Sequence, residues 1–200
     1  MADMELSSIC VYCGSSMGAD PDFEVAARET GELIARNGIT LVYGGAAVGL
    51  MGVVADAALA AGGAVIGVTP RGLWGGEIDH PGLTELIEVG SMHERKHRMF
   101  ELADAFVALP GGLGTLDELA EIAIWSQLGL HRKPIATLDV NGYWTGLHAF
   151  LRTAAGAGLL KRQYLELIMN VTGGPAGLLP ALRSYVAPPS GKWIQPVSER

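Results

Sequence analysis

The chain has 200 residues, 49% of them hydrophobic and 28 of them glycine, with a formal net charge of −7. Its length suits one hydrophobic core, since a chain of this size buries about 70% or more of its unfolded surface, and its acidity argues against nucleic acid as a partner. The N-terminus lacks the basic start and apolar run of a signal peptide, and Asp56 interrupts the longest apolar region. We therefore expect a cytoplasmic protein with no membrane contact.

Short β-rich runs alternate with helical patterns along the chain. Strands are predicted at 8–15, 40–45, 64–70, 104–111 and 133–140, and helices at 21–37, 49–61, 115–129 and 143–157. This alternation is typical of right-handed βαβ units, and such uniformly apolar strands are expected to be buried on both faces. We predict an α/β fold, a three-layer Rossmann-like doubly wound parallel sheet, as a single domain over 1–186 with a C-terminal tail at 187–200.

Two regions depart from this rhythm. The segment 70–90 is long and rich in glycine and proline, with a short strand predicted at 84–89, and long loops in compact domains are often functional. Beyond residue 160, a helical stretch, a weak strand at 167–172 and a last helix near 175–185 complete the predicted domain.

The only two cysteines, Cys10 and Cys13, form a Cys-x-x-Cys pattern inside a predicted strand rather than at the start of a helix. Their spacing places them on opposite faces of the strand. We interpret them as buried side chains, and a thioredoxin-like redox pair is the alternative.

Glycine-rich turns follow three of the predicted strands, at 13–18, 43–52 and 110–118. Ligands of open parallel sheets bind at such turns, where glycine allows close backbone approach and a helix N-terminus attracts phosphate. None of the turns matches the dinucleotide fingerprint or the P-loop, and no acid ends the second strand to take a ribose hydroxyl. We predict a small nucleotide ligand, a nucleoside monophosphate. Turn and capping roles are the alternative explanation for these glycines.

A predicted helix rich in cations precedes the strand predicted at 104–111. Its Ser91 and Glu94 predict a capping box. Arg95 shares the apolar helix face of Met92 and Met99, where a cation needs an anionic partner in the protein or in a ligand. The other cations of this helix fit a solvated face equally well.

The helix after the third glycine turn carries Thr115 and Glu118, which also fit a capping box. That interpretation alone would explain both residues. If a phosphate or ribose occupies the helix N-terminus instead, Glu118 is free to face the pocket, with Glu121 beside it on the same helix face. Two carboxylates near a bound sugar suit glycosidic hydrolysis, since one stabilises developing positive charge and the other handles water.

Together, "MHERK" at 92–96 and "PGGLGTLDE" at 110–118, supported by "CGSS" at 13–16 and "WSQLG" at 125–129, resemble the LONELY GUY (LOG) family. The resemblance covers about residues 9–185. It implies a phosphoribohydrolase that splits the N-glycosidic bond of N6-modified adenosine 5′-monophosphates, the cytokinin riboside 5′-monophosphates, into the free base and ribose 5-phosphate. Plain AMP is a further candidate substrate. The implied reaction needs no cofactor and no metal.

The resemblance also assigns site residues one by one. The family's catalytic arginine and glutamate match Arg95 and Glu118. Its substrate contacts fall on Glu77, Lys96, Gly112, Gly114 and Thr115. Residues expected to line the phosphate, ribose and base are Gly44, Gly45, Gly111 and Met92. We expect Glu121 to lie in or near the same pocket.

Two points qualify the resemblance. Family members are often labelled lysine decarboxylases, but a pyridoxal phosphate enzyme needs a Schiff-base lysine, and none of the four lysines lies in an apolar sequence setting. Ile124 stands where plant members carry a threonine, so a polar substrate contact is lost and base preference could differ.

The residues leave other functions and a partner open. A non-catalytic carrier of a nucleotide-like cofactor, such as the pterin nucleotide of molybdenum cofactor, is the alternative function, and a general AMP nucleosidase is a third. The Arg95 and Glu118 pair counts against the carrier. Short family members are usually homodimers, and the apolar face of 119–130, with Trp125 and Leu128, suits such a contact, although a buried core helix would look the same.

Overall fold

The structure is a computed structural model that describes residues 4–72 and 79–189. Seven parallel strands form one sheet in the order β4-β3-β2-β1-β5-β6-β7. The strands are β1 (Ser8–Tyr12), β2 (Thr40–Tyr43), β3 (Val65–Pro70), β4 (Glu85–Val89), β5 (Ala105–Ala108), β6 (Ile135–Leu138) and β7 (Ile168–Val171). The α-helices are α1 (Pro21–Arg36), α2 (Gly49–Ala60), α3 (Met92–Leu102), α4 (Leu113–Gln127), α5 (Thr145–Gly156) and α6 (Leu178–Ser184).

Helices cover both faces of the sheet, which confirms the predicted three-layer α/β architecture. One apolar core joins the sheet to α1, α2 and α6, and the other joins it to α3, α4 and the segment around α5. Central strands β1, β5 and β6 are buried along their whole length, as their unbroken apolar runs predict. Cys10 and Cys13 lie in opposite cores as free, buried thiols, and burial raises the pKa of both.

The C-terminal third departs from the predicted elements in detail. The helical stretch expected after residue 160 is a 3₁₀ turn at Arg162–Glu166, and the last helix begins as a 3₁₀ turn at Pro175–Gly177 before α6. The strand predicted at 84–89 is present as β4, which pairs only with β3 at the edge of the sheet. Along the described parts of the chain, no helix is both long enough and apolar enough to span a membrane.

The strand order creates a crevice at the centre of the sheet. From β1 the chain moves outward through β2, β3 and β4, and it then returns to the other side of β1 as β5. At this switch point the loops after β1 and β5 lead to helices on opposite faces of the sheet, α1 and α4. Ligands of doubly wound sheets bind beyond the carboxyl ends of such strands. The two loops are joined there, since the Gly14 N–H donates to the Pro110 carbonyl at 3.0 Å.

Candidate active site

A cavity of about 340 Å³ lies at this switch point, where all three glycine turns meet. Its volume suits a small-molecule ligand. Of the residues predicted for the site, those on its wall are Gly44, Met92, Arg95, Gly112, Gly114, Thr115 and Glu118. The structure therefore brings together side chains from α3 and α4 with backbone from the turns after β2 and β5.

Arg95 and Glu118 form an ion pair inside this cavity. The Arg95 Nη2 lies 3.5 Å from Glu118 Oε1, and only 12% and 11% of the two side chains is exposed. Arg95 Nε also donates to the Val68 carbonyl of β3, at 3.1 Å. Because a guanidinium has five N–H donors, these contacts orient Arg95 and still leave donors for a ligand. The anionic partner that Arg95 needs on the apolar face of α3 is thus a protein side chain, Glu118.

The protonation of Glu118 depends on its burial. Burial raises the pKa of Glu118 to about 7, against the lowering effect of Arg95. Asp117 and Glu121 raise this pKa further, while Lys96 lowers it. A carboxyl group with so strongly perturbed a pKa in a cleft is typical of an active site.

Gly44 makes the position of Arg95 possible. A Cβ atom built on Gly44 would overlap the Arg95 Nη2 and crowd the Met51 side chain. The absence of a side chain at the end of β2 therefore admits the guanidinium. Gly45 differs from Gly44 in two ways. Its φ of 85° is left-handed, which is sufficient reason for a glycine at this position, and Gly45 does not belong to the cavity wall.

The N-terminus of α4 opens onto the cavity. The helix begins at Leu113 with Gly112 as its N-cap and no side-chain capping bond. The Thr115–Glu118 capping box is therefore not formed, because Thr115 already lies inside the first turn, with its side chain against Gly111. The first N–H groups of a helix lack intrahelical partners and carry partial positive charge. They form an anion-binding arrangement of the kind phosphates occupy.

Gly112 and Gly114 stand open at this helix N-terminus. A Cβ atom added to either would meet no described atom within 4 Å, and neither residue has a left-handed φ. Backbone geometry therefore does not demand glycine at these two positions. Because both residues lack a side chain, there is open space in front of the N–H groups in the first turn of α4.

Lys96 joins α3 to α4 rather than lining the cavity. Its ammonium lies 3.0 Å from Asp117 Oδ2 and 3.2 Å from Glu121 Oε1, and 11% of its side chain is exposed. Burial lowers its pKa, but the two carboxylates outweigh burial, so the pKa of Lys96 is raised. The solvated face proposed for the cations of α3 holds for His97 and Arg98, which pair with a glutamate on their own helix.

The remaining predictions divide by location. Gly111 and Glu121 do not belong to the cavity wall; Gly111 precedes the wall residue Gly112, and Glu121 shares Lys96 with the wall residue Asp117. Glu77 lies outside the described residues. The predicted Ser91–Glu94 capping box is present in a variant form, since Ser91 accepts from Glu94 N–H while the Glu94 carboxylate accepts from Gly90.

Sequence reasoning missed several wall residues. Asp79 contributes a carboxylate, and its strand-like bridge to Ala46 ties the end of the 70–90 segment to the second glycine turn. Val48, Met51 and Leu113 add apolar surface. The available signal was their position within or beside the glycine turns, which predicts the location but not which side chains turn inward.

A second, larger cleft of about 550 Å³ lies between α4, α5 and the 3₁₀ turn at Arg162–Glu166. Its walls are almost wholly apolar, so its size does not make it the reaction site. Ile124, 53% exposed, lies in this cleft and not in the cavity that holds Arg95. Of the predicted contact face, Leu128 is exposed, whereas Trp125 packs edge-on against Phe100.

Comparisons with known proteins identify relatives of this chain. Residues 51–182 match the family model described as "Possible lysine decarboxylase". A "Probable cytokinin riboside 5'-monophosphate phosphoribohydrolase" of Oryza sativa subsp. japonica is 47% identical over 179 residues, which cover 89% of this chain and 78% of that protein. A protein of Arabidopsis thaliana named cytokinin riboside 5'-monophosphate phosphoribohydrolase is 44% identical over 162 residues, 81% of this chain and 75% of its own.

Similar solved structures bear a different name. The molybdenum cofactor binding protein from Rippkaea orientalis has a TM-score of 0.67 at 23% identity, covering 90% of this chain and 98% of its own. The Moco carrier protein from Chlamydomonas reinhardtii has a TM-score of 0.66 at 26% identity, covering 88% and 95%. The first of these likenesses shows a shared fold only.

The lysine decarboxylase description does not fit the cavity. Among the described residues, no lysine lines it. Lys96 is held by two carboxylates, and Lys133 donates to the Phe100 carbonyl at 2.7 Å with its ammonium over the Phe100 ring. A Schiff-base lysine needs an open approach to the ligand, which neither residue has.

Proposed function

This chain belongs to the LOG family of cytokinin riboside 5′-monophosphate phosphoribohydrolases, and from that premise we propose that it hydrolyses the N-glycosidic bond of N6-modified adenosine 5′-monophosphates. The products are the free cytokinin base and ribose 5-phosphate. The observation that carries the proposal is the buried Arg95–Glu118 pair beside the N-terminus of α4. A carboxylate, a cation and an anion site in one cavity are the groups that this reaction needs.

In the proposed mechanism, the 5′-phosphate lies at the N-terminus of α4, held by backbone N–H groups of Gly112 and Gly114 and by Thr115. Arg95 orients the sugar and offsets negative charge. Ionised Glu118 stabilises the oxocarbenium-like ribose as the base departs, and it guides the attacking water. The ion pair with Arg95 supports this role, because it favours the ionised form that burial disfavours.

The base is proposed to lie against the apolar part of the cavity. Met92 and Met51 lie there with Val48 and Leu113, and their flexible or aliphatic side chains suit an apolar N6 substituent. The further proposed substrate contacts are Gly44, Gly45, Glu77, Lys96, Gly111 and Glu121. For Lys96, contact with substrate requires that it exchange a carboxylate partner for the nucleotide.

The alternative function is a nucleotide-like cofactor carrier, which the likeness to molybdenum cofactor binding proteins motivates. The hydrolase is better supported, since the phosphoribohydrolases are 44–47% identical to this chain and the carriers 23–26%. Incubation with AMP and with isopentenyl-AMP, followed by chromatography of the bases, separates the functions. Release from isopentenyl-AMP supports the hydrolase, and release from AMP alone indicates a general AMP nucleosidase. No base from either nucleotide would favour the carrier.

We also propose a homodimer in which a second copy covers the apolar cleft between α4 and α5. Phe150 and Ile124 are 66% and 53% exposed on that cleft. Exposed apolar patches of this kind mark protein interfaces, and α4 links this surface to the catalytic cavity. A cytoplasmic location is proposed as well, which the free thiols of Cys10 and Cys13 support because disulfides are rare there.

A further inference from the structure

Tyr143, outside the motifs of the site, contacts the backbone of the third glycine turn. It lies in the loop between β6 and α5, and its hydroxyl donates to the Gly111 carbonyl at 2.5 Å. It does not belong to the cavity wall. Any effect of Tyr143 on a ligand must therefore act through the peptide that it holds.

The orientation of that peptide sets the direction in which its N–H group points. In a trans peptide the carbonyl oxygen and the following amide hydrogen point in opposite directions, and no described peptide is cis. The Gly111 carbonyl points toward Tyr143, so the Gly112 N–H points away from Tyr143. Gly112 lines the cavity as the N-cap of α4. The hydrogen bond at Tyr143 thus fixes the direction of one donor of the anion site.

The turn has few other restraints on this peptide. The preceding carbonyl, that of Pro110, accepts from Gly14 N–H at 3.0 Å. Gly111 itself has no side chain that could restrain the peptide, and a Cβ atom there would overlap Thr115 Oγ1. A peptide flanked by two glycines rotates easily, so the Tyr143 hydroxyl is its principal side-chain restraint among the described residues.

Tyr143 is itself held in place. Its ring packs edge-on against Phe23, with centroids 5.4 Å apart, and against Trp144 at 5.2 Å. The loop before it is anchored by Asn141, whose amide donates to the Asp20 and Asp22 carboxylates at 2.9 Å each. With two ring contacts and an anchored loop, Tyr143 is suited to hold a flexible glycine turn.

We propose that Tyr143 is a positioning residue for the phosphate of the substrate: its hydroxyl locks the Gly111–Gly112 peptide so that the Gly112 N–H is aimed into the anion site. The inference rests on the proposed function only in taking that anion to be the 5′-phosphate of a nucleotide. It concerns phosphate affinity and not the bond that breaks.

The test compares wild type with Tyr143→Phe, which removes only the hydroxyl and keeps the ring packing on Phe23. Titration calorimetry measures Kd for AMP and for adenosine, which differ by the phosphate. One misaligned hydrogen bond is expected to weaken AMP binding about three- to tenfold, with adenosine unchanged and the thermal midpoint close to wild type. In turnover, KM for isopentenyl-AMP should rise by a similar factor while kcat stays within about twofold.

Tyr43→Phe is the matched control. Tyr43 is buried on β2, and its hydroxyl has no hydrogen-bond partner among the described residues. We expect its loss to leave the ratio of the AMP and adenosine affinities unchanged. Equal weakening of both ligands by Tyr143→Phe, or no weakening of either, would overturn the inference. If wild type releases no base from any nucleotide, the proposed function fails, yet the affinity ratio still decides the role of Tyr143.

Discussion

At the residue scale, the proposed chemistry depends on two opposing effects on Glu118. Burial removes water from the carboxylate and raises its pKa, and the Arg95 guanidinium partly restores the charged form. The result, a pKa of about 7, leaves the group divided between its two forms at neutral pH. Small changes in neighbouring charge therefore change the fraction of ionised Glu118.

The first prediction concerns pH. Because the proposed mechanism uses ionised Glu118, kcat/KM for isopentenyl-AMP should rise with pH and level off above an apparent pKa of about 7. Asp117 raises the pKa of Glu118, so Asp117→Asn should move the midpoint of the profile to lower pH. The pKa of the substrate phosphate in free solution does not depend on Asp117, so a shift of the midpoint in this variant would come from the protein and not from the substrate. A midpoint unchanged in Asp117→Asn would contradict the assignment to Glu118.

The second prediction concerns Gly44, whose missing side chain admits the Arg95 guanidinium. Gly44→Ala should displace Arg95 and lower base release about 100-fold, since displacement of a catalytic group by about 1 Å can cost that much. The fold should persist, because the clash is with the end of a flexible side chain. Base release by chromatography and the thermal midpoint check both statements.

Two comparisons sharpen this test. Gly156→Ala adds the same methyl group at an open position of α5, and base release should not change. The double variant Gly44→Ala/Arg95→Ala should be no slower than Arg95→Ala alone, because the added methyl group acts by displacing the arginine and leaves the backbone of Gly44, the proposed substrate contact, in place. Additive losses would show that the methyl group also disturbs substrate binding at Gly44.

At the element scale, most strands and helices could be predicted because apolar strand runs end in glycine turns. The start of α4 could not. Thr115 and Glu118 have the spacing of a capping box, but helix geometry continues back through Gly114 to Leu113, since the glycine turn itself supplies the N-cap. The 3₁₀ turns at Arg162–Glu166 and Pro175–Gly177 differ from α-helix by small shifts in hydrogen bonding, which local sequence does not resolve.

The candidate site was predictable in part for a related reason. Motif residues such as Arg95 and Gly112 could be named from the resemblance, since each lies in a short conspicuous stretch. The dependence of Arg95 on Gly44, and of Gly111 on Tyr143, joins residues 51 and 32 positions apart. Such pairs appear only once the sheet has brought the loops together.

At the scale of the whole molecule, strand order places the three glycine turns at one edge, and the helices α4 and α5 leave an apolar cleft on the surface. A cleft of this kind is costly to leave in water, since burial of apolar area is stabilising by about 25 cal/mol per Å². A second copy of the chain is the proposed cover. One helix, α4, thus contributes both to the proposed catalytic cavity and to the proposed interface.

The third prediction tests that interface. Phe150→Glu places a charge in the cleft, so a dimer that buries this residue should dissociate to monomers, as measured by light scattering during size exclusion. Val25→Glu, on the exposed side of α1 and outside the cleft, is the control and should remain dimeric. A wild-type protein that is monomeric at micromolar concentration, or a dimer that survives Phe150→Glu, would contradict the proposal.

The central claim, that this cavity hydrolyses cytokinin nucleotides through Glu118, is tested most directly by base release from isopentenyl-AMP. Wild type should yield isopentenyladenine and ribose 5-phosphate in equal amounts. Glu118→Gln keeps the size of the side chain but cannot ionise, so it should lose at least about 100-fold in rate while its thermal midpoint stays near that of wild type. A folded Glu118→Gln protein that retains most of its activity would contradict the account.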